Sequence, residues 1–421
     1  MLAALFAILF LCHAASIRKE EVETSSDPNS LVVDGDIKVT PEEYEELLRR
    51  ASDGSTLREK RQMVNGRLWP NNTVAYSFSS EILTSRRVLV RKAMAEISKR
   101  SCITFREDDE APDRVNIVYE NGCWSSVGWK GGVQQLSIGS CSRLGNFVHE
   151  LFHTLGVVHT ASRSDRDEFL KINTSLFTSS DRVNFAYYST ERSYNVVPFE
   201  YGSVMMYSAR AVSWPRDESF LPSMGVRVSA FYDYKGIHEK YQCSCPTEIE
   251  CRHGGYMNTQ TCDKCVCPVG YGGRQCETAP EEFSKKLTAT SEWQTHSIRF
   301  GFTGFSEKIF TKATLFIEAP ADKRIQVEVT QLEGFDCSSY CYWNGFEVKH
   351  LGDPRRINQL SCCEPDEGYN YNYTSKLNPT PVMLYSLDGQ VTFGMRYRYI
   401  NESISVLPTT NNTYDSFRYP V

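Results

Sequence analysis

Residues 149–159 read His149-Glu150-Leu151-Phe152-His153-Thr154-Leu155-Gly156-Val157-Val158-His159. Histidines four residues apart project from one face of an α-helix, so the rings of His149 and His153 point toward a common centre. Gly156 predicts the end of this helix, because glycine accepts the left-handed conformation that turns the chain. That turn brings His159 toward the same centre. The stretch therefore predicts a helix that presents three imidazoles to one metal ion.

The number of ligands is typical of a catalytic zinc site. Structural zinc sites have four protein ligands, whereas three protein ligands leave one position for water. Glu150 directly follows the first ligand, where its carboxylate can accept a proton from that water. The neighbouring apolar residues predict that the helix is buried: Phe147, Val148, Leu151, Phe152 and Leu155. We therefore expect one zinc ion, with Glu150 as the general base.

Composition and the N-terminal segment indicate a secreted chain. The apolar run from Leu2 to Cys12 is followed by small residues, which predicts a signal peptide over residues 1–16. One of the 15 cysteines lies in it, and the even number that remains suits an oxidising compartment. A net charge of −6 does not indicate nucleic-acid binding, and no later stretch is long enough to span a membrane. We expect the product to be extracellular.

The sequence also contains acceptor motifs for N-linked glycans. Such Asn-x-Ser/Thr sequons are used on the surface of secreted proteins, although they also occur by chance. We expect glycosylation at these positions: Asn71, Asn173, Asn372, Asn401 and Asn411.

A polar segment, residues 17–61, precedes the first strand-like pattern. Thr40 predicts a helix cap, with Pro41 at the first helical position and Glu43 completing a capping box. The segment ends in a basic cluster that suits a processing protease cutting after Arg61. A solvated run of charges is the alternative for this cluster. We interpret residues 17–61 as a propeptide.

Residues 62–243 mix helical and strand patterns. Residues 74–78 and 114–119 alternate like strands, whereas 85–99 and 231–241 read as helices. Residues 131–137 predict a turn that enters an edge strand, and an extended substrate would pair its backbone with residues 134–137. The mixture predicts an α+β domain that contains the zinc-binding helix.

Cysteine density peaks in the next segment, residues 244–278. A segment too small for a hydrophobic core is typically held together by disulfides. A zinc knuckle at Cys262 and Cys265 is the alternative, which a secreted context disfavours. We expect three disulfides among six residues: Cys245, Cys251, Cys262, Cys265, Cys267 and Cys276.

Residues 283–400 carry short alternating runs that predict a β-sandwich. Examples are residues 297–302, 313–318, 325–329 and 391–399. Residues 401–421 form a polar tail. The pairing of four cysteines stays open here: Cys337, Cys341, Cys362 and Cys363.

Several of these motifs resemble the astacin metalloproteases, within the metzincins, and in particular the nematode type with EGF-like and CUB-like domains. Residues 163–167 resemble the continuation R-x-D-R-D, and residues 203–207 resemble the Met-turn. Residues 68–70 resemble the L-W-P near the mature start. The resemblance covers roughly residues 33–400. It implies a two-lobed α+β protease domain with a twisted sheet and a zinc helix, then an EGF-like domain and a CUB-like sandwich.

The resemblance also implies roles for individual residues. Met205 would form a hydrophobic floor beneath the zinc, and Tyr207 would ligate zinc and swing to stabilise the transition state. Residues 33–37 resemble the prosegment motif F-x-G-D, whose aspartate, here Asp36, occupies the zinc of the latent enzyme. Two disulfides are implied as well: Cys102–Cys243 and Cys123–Cys141.

One departure from the family lies directly after the third histidine. Astacins usually have a glutamate there, which forms a buried link to the new N-terminus after activation. This chain has Thr160, and its predicted mature N-terminus is Gln62. The usual N-terminal link is therefore not expected.

These features predict a secreted zinc metalloendopeptidase that is made as a latent precursor. A processing protease would activate it, and its substrates would be extracellular proteins, by family resemblance matrix or cuticle components. The alternative is an inactive metzincin that serves as an extracellular EGF/CUB binding protein. Thr160 is its only support in the sequence, because Glu150 and all three histidines are retained.

Overall fold

The computed structural model of this chain describes residues 23–24, 30–33, 35–53, 68–185, 195–226, 228–302, 309–364 and 370–401. The predicted signal peptide, the predicted cleavage site at Arg61 and the sequon at Asn411 lie outside these ranges. So do residues 402–421 of the predicted tail.

One mixed sheet of eight strands organises the N-terminal part. In chain order the strands are β1 (Glu23–Thr24), β2 (Leu31–Val33), β3 (Ile37–Val39), β4 (Thr73–Phe78), β5 (Thr104–Glu107), β6 (Arg114–Val118), β7 (Trp124–Ser126) and β8 (Val133–Ser137). Across the sheet they follow the order β1-β2-β3-β7-β8-β6-β4-β5. The strands predicted over residues 74–78 and 114–119 are confirmed as β4 and β6.

Helices pack against this sheet and complete the predicted protease domain, residues 62–243, which is called the protease part below. In the described part of the chain the α-helices are α1 (Pro41–Asp53), α2 (Thr84–Ser98), α3 (Leu144–Thr154), α4 (Ser179–Asn184) and α5 (Phe231–Lys240). Met94 and Ile97 of α2 and Phe147 and Phe152 of α3 share a buried core with Ile117 of β6. The helices predicted over residues 85–99 and 231–241 are confirmed as α2 and α5.

A second, smaller sheet lies in the protease part after α3. It pairs β9 (Leu170–Ile172) antiparallel with β10 (Ser213–Pro215). Leu170 of β9 shares a buried cluster with Phe199 and Met206. This cluster is separate from the core between the large sheet and its helices. The two separate apolar clusters agree with the predicted two-lobed domain.

The prediction that residues 134–137 form a sheet edge is wrong. β8 is an inner strand, since it pairs in parallel with β6 and antiparallel with β7. β7 is followed by β3 of the predicted propeptide, with Ile37 opposite Ser125 and Lys38 opposite Ser126 in parallel register. Alternation identifies a strand by its two faces but carries no information about its neighbours in the sheet.

The predicted propeptide is joined to the protease part by an apolar cluster as well as by strand pairing. Its helix α1 begins with the predicted capping box, because Glu43 N–H donates to Thr40 Oγ1 (3.3 Å) and Thr40 N–H donates to Glu43 Oε2 (3.0 Å). Leu47 of α1 packs with propeptide residues and with Val127 of the protease part. This cluster has five buried members: Val33, Ile37, Val39, Leu47 and Val127.

A small disulfide-rich unit follows α5. It contains one two-stranded sheet, β11 (Tyr256–Met257) and β12 (Cys265–Val266). Cys262 and Cys265 belong to different disulfides, so the zinc knuckle alternative is wrong. The pairs are Cys245–Cys262, Cys251–Cys265 and Cys267–Cys276.

The C-terminal part is a β-sandwich, as predicted. Its strands are β13 (Ser284–Thr288), β14 (Gln294–Phe302), β15 (Thr311–Glu318), β16 (Arg324–Glu333), β17 (Asn344–Val348), β18 (Leu360–Ser361), β19 (Asn372–Thr374), β20 (Thr380–Ser386) and β21 (Gly389–Ile400). One sheet has the order β13-β15-β20-β17-β18 and the other the order β14-β21-β16-β19. Leu315, Val382 and Leu384 of the first sheet meet Val327 and Phe393 of the second in one core.

The open cysteine pairing in the sandwich is answered by the fold. Cys337 pairs with Cys363, and Cys341 pairs with Cys362. Cys337 and Cys341 lie in the loop between β16 and β17. The adjacent Cys362 and Cys363 therefore link two points of that loop to the end of β18. Sequence spacing does not distinguish this arrangement from the crossed one, because both need a similar chain reach.

The three parts pack on one another. Phe316 of β15 shares a cluster with Tyr271 of the disulfide-rich unit. The sandwich also contacts the smaller protease sheet, since Tyr340 packs against the cluster that contains Leu170. The predicted α+β fold, with a sandwich after the protease part, is confirmed. None of the helices in the described ranges combines the length and the apolar character that crossing a membrane requires.

Candidate metal centre

Helix α3 places the first two predicted ligands in the core. Arg143 N–H donates to Asn146 Oδ1 (3.2 Å) at the start of the helix. The apolar face of α3 is buried against α2 and the sheet. His149 is 1 % exposed and His153 is not exposed at all. The predicted helix therefore forms because its apolar residues occupy the core, and that burial removes both imidazoles from bulk water.

A turn after α3 brings in His159. Gly156 has a φ of +84°. Its N–H donates to His153 O (2.8 Å), and Val157 N–H donates to Phe152 O (2.9 Å). This pair of bonds is a Schellman motif, which requires the left-handed conformation at the glycine position. The predicted helix end at Gly156 is confirmed.

The three imidazoles converge through their Nε2 atoms. His149 Nε2 and His159 Nε2 are 3.2 Å apart. Two nitrogens bound tetrahedrally to zinc at about 2.0–2.1 Å are separated by about 3.3 Å. The observed spacing is therefore that of two ligands of one ion.

Two of the imidazoles are oriented by a backbone contact at the other nitrogen. His149 Nδ1 lies 2.8 Å from Val204 O, and His153 Nδ1 lies 2.8 Å from Val157 O. A carbonyl oxygen can only accept, so both rings carry their proton on Nδ1 and offer a lone pair at Nε2. Burial, followed by the neighbouring His159 and His149, lowers the pKa of His153 well below its usual value. His153 is thus held in the neutral tautomer that binds metal, and the contact to Val204 O orients His149 in the same way.

Asp36 reaches into this centre from the loop between β2 and β3. Its Oδ2 lies 3.1 Å from both His149 Nε2 and His159 Nε2, and its Oδ1 lies 3.8 Å from His153 Nε2. Burial acts to raise the pKa of Asp36, but His159 and His149 outweigh it, so the pKa is held well below the usual value. The carboxylate is ionised. The backbone oxygen of Asp36 accepts from Ser125 N–H of β7 (2.9 Å), which anchors the loop.

These four residues fit a zinc ion. Their ligand atoms lie within 4.8 Å of one another, and three imidazole nitrogens with a carboxylate oxygen are all zinc donors. His153 Nε2 and Asp36 Oδ1 are buried, and no described residue offers either atom a hydrogen bond. A cation at the centre would satisfy both atoms, since buried polar atoms without a partner are costly.

Glu150 lies on α3 directly after the first ligand and is 2 % exposed. The segment of Met205 runs beneath the same helix. Met205 is buried and shares the core with Leu151 and Phe152. Its carbonyl accepts from Thr160 N–H (3.0 Å), which joins this segment to the residue after His159.

The Met205 segment depends on a residue that sequence reasoning missed. Asp233 of α5 accepts from Ser203 Oγ (2.6 Å) and Val204 N–H (2.9 Å). It also accepts from Ala230 N–H (2.8 Å) at the start of its own helix. An aspartate in the first helical turn is a recognisable capping signal, but its use as an anchor for residues 203–204 depends on tertiary packing.

Tyr207 lies beside the third ligand. Its hydroxyl is 2.5 Å from His159 Nδ1. In this structure the tyrosine therefore contacts a histidine, and Asp36 occupies the space facing the three Nε2 atoms. Thr160 is buried and brings no charge to this region.

The remaining predicted site residues lie away from the centre. Cys102 pairs with Cys243 and Cys123 with Cys141. The sequon asparagines within the described ranges are all exposed: Asn71, Asn173, Asn372 and Asn401.

The family model of the astacin peptidases matches residues 61–242. Zinc metalloproteinase nas-17 of Caenorhabditis elegans is 37 % identical over 430 residues, covering 100 % of this chain and 99 % of the relative. Zinc metalloproteinase nas-16 of the same organism is 38 % identical, covering 86 % of this chain and 85 % of the relative.

Among solved structures, High choriolytic enzyme 1, a hatching enzyme zinc-protease from Oryzias latipes, is 27 % identical. The match covers 45 % of this chain and 100 % of that structure, with a TM-score of 0.40. The identity of 37 % to nas-17 along the whole chain, together with the match to the astacin family model, shows that the chain belongs to the astacin family of zinc metalloproteases.

Proposed function

We propose that this chain is a secreted zinc metalloendopeptidase that is synthesised as a latent precursor. The observation that carries the proposal is the position of the Asp36 carboxylate, within 3.8 Å of all three histidine Nε2 atoms. A site with three imidazoles and a removable fourth ligand suits a hydrolase that is switched on by proteolysis.

In the active form Glu150 would act as the general base. Zinc, when bound, supplies a Lewis acid that lowers the pKa of water from about 15.7 toward about 7. Glu150 would accept the proton of the attacking water and deliver it to the leaving amine. Its burial favours this role, because the low dielectric strengthens its interaction with the charges of the site.

Tyr207 would stabilise the oxyanion of the transition state. Its hydroxyl already lies at the outer nitrogen of the third ligand, one ring away from the centre. Once Asp36 leaves, the tyrosine could swing its hydroxyl toward the space that the carboxylate occupied. A hydrogen-bond donor aimed at a developing oxyanion is a major contributor to acyl-transfer catalysis.

Substrate would bind along β7 rather than β8. In the precursor β3 pairs with β7 through Ile37 and Lys38. Lys38 Nζ also donates to Gln135 Oε1 (2.5 Å) and lies over the Trp124 ring. Removal of the propeptide would expose this sheet edge, and an extended peptide could add to it as a strand.

We infer the following layout, of which the fold supports the protease, disulfide-rich and sandwich parts. Residues 1–16 form the signal peptide, 17–61 the propeptide, 62–243 the protease domain, 244–278 an EGF-like domain, 283–400 a CUB-like domain and 401–421 a polar tail. Seven disulfides and exposed sequon asparagines are consistent with secretion. Substrates would be extracellular proteins, and a processing protease would cut after Arg61.

Casein cleavage by protein cut after Arg61 tests this function. We expect activity in the wild type, and a loss of several orders of magnitude in Glu150→Ala with its zinc content unchanged. Equal activity in the two proteins, or a wild type that retains no zinc, would favour the alternative of an inactive binding protein.

A further inference from the structure

The position of His159 depends on a short turn outside the zinc helix. Two ligands belong to α3, whereas His159 is reached only through residues 155–158. The Schellman motif at Gly156 uses the carbonyls of Phe152 and His153. The next three carbonyls, which belong to Thr154, Leu155 and Gly156, are beyond the reach of the helical N–H groups.

Each of these three carbonyls accepts a hydrogen bond from a distant side chain. Trp69 Nε1 donates to Thr154 O (2.9 Å), and Tyr241 OH donates to Leu155 O (3.2 Å). Lys240 Nζ donates to Gly156 O. Three consecutive carbonyls are thus bound by three donors, one donor each.

In the sequence, the donors come from opposite ends of the protease part. Trp69 lies just before β4, Tyr241 follows α5, and both are buried. The disulfide between Cys102 and Cys243 holds the end of α5 in place. Neither ring can move without repacking the core, so the donors are rigid relative to the turn.

Lys240 is suited to this position by its charge. No carboxylate of the described residues lies within ion-pair distance of it. It sits at the C-terminal end of α3, where the helix dipole favours a cation. Burial lowers the pKa of Lys240 to about 8, so the ammonium remains the main form at neutral pH.

We propose that Trp69, Tyr241 and Lys240 act together as positioning residues for the third zinc ligand. By binding three successive carbonyls they set the path from His153 to His159. A metal site loses affinity when the groups that orient its ligands are removed, typically by about 10–100-fold for groups that contact a ligand directly. The proposal rests on the zinc site alone, so it can be tested even if the protein cleaves no substrate.

Zinc release from the full-length protein is the test. Excess chelator is added to the zinc-loaded protein, and the release rate is followed with a zinc-sensitive dye. Tyr241→Phe removes one oxygen and Lys240→Met removes one ammonium, so both variants are expected to fold. We expect each to release zinc about tenfold faster than the wild type. Lys240→Arg keeps a cationic donor and should release zinc more slowly than Lys240→Met.

Lys235→Met is the matched control, because Lys235 lies on the same helix and pairs with Glu239 (2.7 Å) away from the turn. Its release rate should equal that of the wild type. The melting temperature of each zinc-free variant separates positioning from general destabilisation. Wild-type release rates in both Tyr241→Phe and Lys240→Met would overturn the proposal. The proposal would also be overturned if the zinc release rate rises only in proportion to the fall in melting temperature of the zinc-free variant.

Discussion

At the scale of single residues, two opposing effects act on the charge of Asp36. Burial disfavours its charge, whereas the adjacent His159 and His149 favour it, and the net effect is a pKa well below the usual value. The proposed latency of the precursor therefore depends in part on this one side chain.

Asp36→Ala should make the uncut precursor partly active. The variant removes the carboxylate but keeps the β3–β7 pairing, so substrate access stays restricted and activity should remain below that of the mature enzyme. The measurement is casein cleavage by precursor that also carries a blocked cleavage site at Arg61. Asp36→Asn, which keeps the shape without the charge, should be less active than Asp36→Ala. An inert Asp36→Ala precursor would argue against the latency role.

Tyr207→Phe should lower kcat with little effect on KM. Loss of one donor to an oxyanion typically costs about 10²–10³-fold in kcat. Zinc content should not change, because three histidines remain. Tyr201→Phe is a suitable control, since its hydroxyl donates to Phe169 O (2.7 Å) outside the metal centre and should affect stability alone. A normal kcat in Tyr207→Phe would remove the tyrosine from the mechanism.

At the scale of elements, α1 and the β2–β3 hairpin work as one unit. The hairpin reaches the sheet, and α1 covers the apolar side of the hairpin through Leu47. Lys130 of the protease part adds an ion pair with Glu43 of α1. The position of Asp36 therefore depends on packing outside the metal centre.

Leu47→Ala should weaken latency without touching the metal centre. Leu47 is 4 % exposed, and truncating a buried leucine costs about 2–5 kcal/mol. The expected result is a precursor with higher basal activity and faster proteolysis of the propeptide. Leu176→Ala makes the same change at a side chain that is 52 % exposed and should leave both properties unaltered. Unchanged basal activity in Leu47→Ala would mean that α1 does not contribute to latency.

At the scale of the whole molecule, the sandwich is attached to the segment that supports the metal centre. Ile357 N–H donates to Glu200 Oε2 (3.1 Å), and Glu200 precedes the Met205 segment. Tyr340 OH donates to Ala209 O on the other side of that segment. The C-terminal sandwich therefore helps to hold the Met205 segment of the protease part in position.

Glu200 should make this attachment sensitive to pH. Burial raises the pKa of Glu200 to about 7, against the opposing effects of Ile357 N–H and Arg356. The folded chain binds this proton more tightly than the unfolded chain, whose glutamate has a pKa of 4.5. Stability contributed by the protonated form is thus lost as pH rises from about 4.5 to about 7.

Glu200→Gln should remove this pH dependence, because glutamine stays neutral. The apparent melting temperature of the wild type should fall more between about pH 5 and about pH 8 than that of the variant. Glu218→Gln changes an exposed carboxylate and should retain the wild-type profile. Parallel profiles for Glu200→Gln and the wild type would show that Glu200 does not titrate in this range.

Local patterns were sufficient for several elements and for the three histidine ligands. The spacing of His149, His153 and His159 is a helical property, and the left-handed turn at Gly156 is a glycine property. Strands in the sandwich follow from alternation, and the capping box of α1 follows from Thr40. Each of these features depends on residues that are close in the chain, so the sequence alone was enough to predict it.

Tertiary structure decided the features that join distant residues. The inner position of β8, the anchoring of residues 203–204 by Asp233 and the pairing of Cys341 with Cys362 have no local signature. The donors on the three carbonyls after His153 are 84–86 residues away from their acceptors. Hydrophobic burial fixes which elements meet, and only then do these polar groups find partners. The sequence by itself determined which atoms are suited to bind zinc, and the fold decided what holds them in place.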